Sequence, residues 1–225
     1  MLKAVIFDLD GVLVKFNLES MRIKEDIIRY FEKNGLKAGL LSPSDPFSLI
    51  KEAVRSYFSD QGMELGAVGN LIKRAEEIAV EHEVEAAEIT ELLPNAKETL
   101  EAFRSMHMKM GLFTYNNSRA TAIALKRHDI GRYFEAVVTR DMVQKPKPNP
   151  MHLDEVMNCL KVSKDEAICV GDSEMDIKPC KERGVKVVGV TTGVRDGEFL
   201  SGFGPDYIID DLVKLVDIVR QINTA

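Results

Sequence analysis

Apolar and polar positions follow two rhythms along the chain. Short, mostly apolar runs rich in β-branched residues recur at 3–8 (KAVIFD), 109–114 (KMGLFT), 135–139 (EAVVT), 167–171 (AICVG), 185–190 (VKVVGV) and 206–210 (DYIID). Such runs have the length and composition of strands buried on both faces. Between most of them, at 96–106, 118–128, 151–161, 174–183 and 212–222, apolar residues return every three or four positions, as in amphipathic helices. Strands alternating with single helices predict βαβ units, and so an α/β fold with a doubly wound parallel sheet. One interval breaks the alternation. Before Pro94 come three helical stretches, 19–35, 45–59 and 69–89, with Gly35, Gly39, Pro43, Pro46 and Gly62 as breakers between them. They predict a smaller, all-helical domain at 15–91, inserted after the first strand into a core of 1–14 and 92–225.

The chain has 225 residues, 30 basic against 36 acidic side chains, and a formal charge of −6. That length suffices for a large core without disulfides or structural metals. No basic stripe is present, which argues against a nucleic-acid partner. No apolar run approaches the ~20 residues of a membrane span. The N-terminal MLKAVIFDLD lacks a signal-peptide pattern, so a cytoplasmic protein is expected. Cys159, Cys169 and Cys180 form no CxxC pair and read as free thiols of a reducing compartment. His82, His107, His128 and His152 form no zinc pattern and read as surface or packing residues. Gly202-Phe203-Gly204 reads as a turn, not a dinucleotide fingerprint.

In parallel α/β sheets, ligands bind beyond the carboxyl ends of the strands. Here the first strand run ends in Asp8-Leu9-Asp10-Gly11 and the second in Thr114, followed by Tyr115-Asn116. The third is followed by QKPKPNP (144–150) and the fourth by GDSEMD (171–176). Two carboxylates at i and i+2 of a strand end lean to the same side and repel, so solvent, a cation or a basic side chain must offset them. Two acidic clusters, a hydroxyl and a lysine loop converge where this fold takes its ligand.

In that order, DLDGVL, the strand-ending threonine, KPKP and GDSEMD resemble the four motifs of the haloacid dehalogenase superfamily. The helical insertion is similar to the helical cap of some of its members. Within the superfamily the chain looks most like phosphoglycolate-phosphatase-type hydrolases. The resemblance implies a Rossmann-like sheet and a Mg²⁺-dependent phosphatase acting on a small phosphorylated metabolite, phosphoglycolate-like or a sugar phosphate. It implies Asp8 as nucleophile, forming an aspartyl-phosphate, and Asp10 as general acid and base. Thr114, the Tyr115 N–H and Asn116 would bind phosphate or substrate. Mg²⁺ would be held by the Asp8 side chain, the Asp10 carbonyl and Asp172, with Asp176 in the outer shell. The lysine would be the one preceding the first proline, Lys145, with Lys147 the less favoured choice.

Three features depart from the common pattern. Val12 stands where threonine is usual, Lys15 where an acidic residue is frequent, and TYNN replaces a TN-type sequence. Lys15, Arg22 and Lys24 could favour an anionic leaving group or simply be solvated. A β-phosphoglucomutase-like phosphomutase and a non-catalytic metal-binding module are the competing functions. Asp10 argues against carbon–halogen cleavage, which needs no leaving-group acid. The expected assembly is a monomer or homodimer.

Overall fold

A computed structural model describes residues 1–15 and 20–224. The chain divides into two compact units, residues 1–16 with 87–225, and residues 17–86. Phe16 and Asn17, which follow the first motif, and Glu19, the expected helix start, lie outside the described residues.

The larger unit is built on six parallel strands: β1 (Ala4–Phe7), β2 (Lys109–Thr114), β3 (Ala136–Thr139), β4 (Ala167–Gly171), β5 (Lys186–Val190) and β6 (Tyr207–Ile209). Their order is β3-β2-β1-β4-β5-β6. The chain therefore winds one way from β1 to β3, then crosses back to β4, and β1 lies in the middle. That reversal opens the crevice where such sheets bind ligands. All four residues of β1 are fully buried. The near-continuous apolar character of the runs follows, because both faces of the sheet are covered.

The smaller unit holds α1 (Ser20–Lys33), α2 (Phe47–Asp60) and most of α3 (Leu65–Ile89). Ile27 and Phe31 of α1, Ile50, Val54 and Phe58 of α2, and Val68 and Ile72 of α3 recur at helical spacing and bury one another. In the larger unit follow α4 (Ala96–Ser105), α5 (Ser118–Arg127), α6 (Pro150–Leu160), α7 (Glu174–Arg183), α8 (Gly197–Ser201) and α9 (Val213–Thr224). Leu153, Val156 and Leu160 of α6 pack with Ile177 and Cys180 of α7 against the sheet. Arg183 of α7 forks onto Asp154 of α6, donating from Nε at 2.8 Å and from Nη2 at 2.6 Å.

Strand and helix positions agree with the hydrophobic pattern to within a residue or two, except that α3 begins at Leu65, four residues before the expected start. The short α8, capped by Asp196 accepting from the Phe199 N–H at 2.8 Å, was not expected. Five residues are too few to display a period. Cys159, Cys169 and Cys180 are free thiols, the last two buried. Among the described residues no helix is long and apolar enough to cross a membrane.

Candidate active site

The first motif is anchored from below by its apolar residues. Leu9, Val12, Leu13 and Val14 are buried, and a turn closes over them as Leu13 donates to the Leu9 carbonyl and Gly11 to that of Val14. Val12 thus faces the core. The chain reverses at Gly11, whose φ of +75° disfavours any residue with a Cβ. Asp8 is delivered at the end of β1, its N–H donating to the Val170 carbonyl of β4 at 3.0 Å. Asp10, partly buried, accepts from the Asn116 amide at 2.5 Å.

Asp8 meets a lysine from the loop after β3, and that lysine is Lys147. Its Nζ lies 2.7 Å from Asp8 Oδ1 and 2.5 Å from Asp176 Oδ1, with the side chain almost wholly buried. Lys145, the residue expected from the motif, is exposed. Both lysines precede a proline, and the rule of taking the first one selects the lysine that the structure leaves exposed. What separates them is the third dimension. Lys147 is two residues from Asn149, whose side chain accepts from the Met151 N–H at 3.0 Å and caps α6.

The second acidic cluster is built by a helix start. Ser173 caps α7, and its N–H and Oγ both donate to Asp176 Oδ2, at 3.1 and 2.7 Å. With Lys147 on the other oxygen, Asp176 is held on both sides. Asp172 precedes the cap and accepts from the Val194 N–H at 2.9 Å. That donor sits in the loop after β5, a part of the site that the sequence reading missed. Gly193 is its signature: a Cβ there would lie 1.9 Å from Asp172 Oδ2. One at Gly11 would lie 2.5 Å from the same oxygen. The Thr192 hydroxyl donates to the Gly11 carbonyl at 2.7 Å and ties this loop to the first motif.

Thr114, buried at the end of β2, accepts from the Asn116 N–H at 3.1 Å. Asn117 caps α5 by accepting from the Ala120 N–H at 3.0 Å. Tyr115 is half exposed, and its carbonyl accepts from Arg140 at 2.8 Å. Lys15 is paired with Glu91. Arg22 and Lys24 belong to α1 in the helical unit.

One carboxylate oxygen from each of Asp8, Asp172 and Asp176 lies within 4.8 Å of the other two. Burial pushes the Asp8 carboxyl well above the ordinary carboxylate range; Lys147 pulls it back, while Asp176, Asp172 and Asp10 add to the rise. Asp172 is pushed up to about 6 by burial and then by Asp176. Burial pulls the Lys147 ammonium down, but Asp176 and Asp8 more than offset it, so it stays charged well above neutral pH. Three buried carboxylates against one ammonium leave the cluster short of positive charge. A small divalent cation matches that deficit and the all-oxygen donor set. Asp8 and Asp172 suit its direct ligands, because both oxygens of Asp176 already accept hydrogen bonds.

A model of the haloacid dehalogenase-like hydrolase family matches residues 5–190. A phosphoglycolate phosphatase of Vibrio parahaemolyticus is 35% identical over 132 residues, 59% of this chain and 58% of its own length. That match spans less than two thirds of the relative. Pyrophosphatase PpaX of Bacillus mycoides is 26% identical over 222 residues, 99% of each chain. A phosphoglycolate phosphatase of Pseudomonas savastanoi is 29% identical over 95% of this chain and 78% of its own. Among solved structures, a predicted phosphoglycolate phosphatase from Haemophilus somnus superposes with a TM-score of 0.68 at 21% identity, covering 97% of this chain and 98% of that one. The chain therefore belongs to the haloacid dehalogenase-like hydrolase family.

Proposed function

We propose that the protein is a Mg²⁺-dependent phosphatase that hydrolyses a small phosphorylated metabolite, phosphoglycolate-like or a sugar phosphate, through an aspartyl-phosphate on Asp8. The observation that carries this reading is the buried Lys147 ammonium 2.7 Å from Asp8, beside Asp172 and Asp176, at the mouth of the sheet. A carboxylate is a weak nucleophile, and a phosphoryl group repels it. A fixed cation offsets both charges.

In the first step an Asp8 oxygen attacks phosphorus, and the bond to the leaving oxygen breaks as Asp10 hands that oxygen its proton. In the second, water attacks the phosphorus of the aspartyl-phosphate while Asp10 takes a proton from it. Inorganic phosphate leaves and the Asp8 carboxylate returns. Asn116 donates to one Asp10 oxygen and so orients the carboxyl. The Thr114 hydroxyl and the Tyr115 N–H are assigned to the phosphate oxygens, and Asn116 also to substrate contact. Mg²⁺ would be held by Asp8, Asp172 and the Asp10 carbonyl, with Asp176 behind them, and would neutralise charge on the transferred group. The helical unit is read as the cap of this family. A cytoplasmic setting belongs to the same reading and is supported by the three free thiols.

The test is a panel of phosphomonoesters, including phosphoglycolate and hexose phosphates, with Mg²⁺ or with a chelator, for wild type and Asp8→Asn. Hydrolysis that needs Mg²⁺ and vanishes in Asp8→Asn supports the proposal. Equal turnover by the two proteins sinks the nucleophile assignment. Isomerisation of a hexose phosphate dependent on a bisphosphate activator would replace the phosphatase by a phosphomutase.

A further inference from the structure

The sequence reads His152 as a surface or packing residue; in the structure its ring is fully buried and both ring nitrogens are engaged. Nδ1 lies 3.2 Å from the Lys147 backbone N and Nε2 lies 3.0 Å from the Val138 carbonyl oxygen of β3. A backbone N–H can only donate and a carbonyl only accept, so the ring is the neutral Nε2–H tautomer, with Nδ1 as acceptor. Burial supports the neutral form, holding the ring pKa down at about 4.

The acceptor sits where the loop has nothing else to offer. Lys147 is flanked by Pro146 and Pro148, which have no N–H, so its amide is the only backbone donor of that tripeptide. Left unpaired, a buried amide carries a desolvation cost. The far end of the same residue is the ammonium between Asp8 and Asp176, which also lies 4.5 Å from the Phe113 ring centre. Phe113 in turn meets the His152 ring edge-on at 5.6 Å. Imidazole and phenyl thus touch opposite ends of one residue, its backbone N–H and its ammonium.

We infer that His152 is a positioning residue for Lys147: its Nδ1 fixes the Lys147 backbone against β3, so that the flexible lysine stem delivers its ammonium to Asp8. The inference rests on the proposed role of Lys147 beside the nucleophile. A lysine stem has four rotatable bonds, and its tip can be no better placed than its Cα.

The test compares His152→Asn, which keeps an acceptor at the δ position, with His152→Gln, which keeps only a group at the ε position, and His152→Leu, which keeps neither. In the Mg²⁺-loaded enzyme His152→Gln and His152→Leu should lower kcat by about 10–100-fold with little change in KM, the size of effect seen when a supporting residue is lost. His152→Asn should recover most of that loss. In a Lys147→Met background none of the three should lower the residual rate further. Equal losses for Asn, Gln and Leu, or no loss in any, overturn the inference. Nitrogen-15 NMR of the wild-type ring supplies a readout independent of turnover. A pyridine-type Nδ1 coupled to the Lys147 amide, and a protonated Nε2, are expected; an Nδ1–H tautomer overturns the inference. If no phosphoester is hydrolysed, the functional reading fails while the NMR still reports on the contact.

Discussion

Replacing Lys147 by methionine keeps most of the volume and removes the only cation seen against Asp8 and Asp176 among the described residues. At an effective dielectric of about 20, unit charges at the observed 2.7 and 2.5 Å attract by roughly 6 kcal/mol per pair. Much of that is cancelled by the cost of burying the ammonium, and breaking such a cluster from one side costs about 3–5 kcal/mol. For a chain of this size that is a fall in Tm of roughly 6–20 °C in chelator. The sign with pH follows from the carboxylates. Asp8 and Asp172 already stand above their ordinary values, and removing Lys147 raises them further, so the folded protein gains stability as they protonate. The deficit should therefore be largest above pH ~7 and shrink as the pH falls through about 6, the value to which Asp172 is pushed. Added Mg²⁺ should restore about 2.7 kcal/mol at a hundredfold excess over its Kd. The assay is urea unfolding followed by circular dichroism from pH 5 to 8, with chelator or Mg²⁺. Lys145→Met serves as control and should stay within about 0.5 kcal/mol of wild type, because that side chain is exposed. Equal shifts in the two variants, or no weakening of the Lys147→Met deficit at low pH, would refute the reasoning.

Asp172→Asn should stabilise the metal-free protein at pH 7–8 by roughly 1–3 kcal/mol, since the native carboxylate is held at about 6 by burial and Asp176. Thermal melts in chelator should show the gain shrinking as the pH falls below about 6 and vanishing only near the ordinary carboxylate pKa of about 4; a loss at pH 8 would count against it. Gly193→Ala forces a Cβ to within 1.9 Å of Asp172 Oδ2 and should cost at least about 2 kcal/mol and weaken Mg²⁺ binding by about tenfold or more. Gly197→Ala, whose new Cβ meets nothing nearer than 3.7 Å, is its control, and calorimetric titration with Mg²⁺ reads both. Asp10→Asn should slow hydrolysis of alkyl phosphates by about 10²–10⁴-fold but spare aryl phosphates with acidic leaving groups. An equal loss on both classes would remove Asp10 as the proton donor.

Hydrophobic patterning alone made the six strands, the five core helices and the helical insertion legible, because the strands are short apolar runs bounded by turns and the helices are long enough to repeat their period. The carboxylates were legible for a different reason. Asp8, Asp10 and Asp172 follow apolar strand runs, where an acidic residue is conspicuous, and a parallel sheet gathers strand ends at one edge. Asp176 was legible by its spacing from Asp172. The lysine was not: the motif rule takes the first lysine of Lys-Pro-Lys-Pro, and only the structure shows the second, Lys147, buried between Asp8 and Asp176. Gly193 and Val194 were invisible because their task is to leave room and offer an N–H to Asp172, 21 and 22 residues away in sequence. That His152 packs was within the sequence reading, but what its nitrogens do was not, because an isolated histidine on a helix carries no pattern; only contact with the Lys147 amide and the Val138 carbonyl reveals it. Local periodicity and residue chemistry therefore determined the elements and the acidic half of the site. The lysine that balances it, and the groups that hold that lysine and Asp172 in place, were decided by long-range packing, which no sequence window contains.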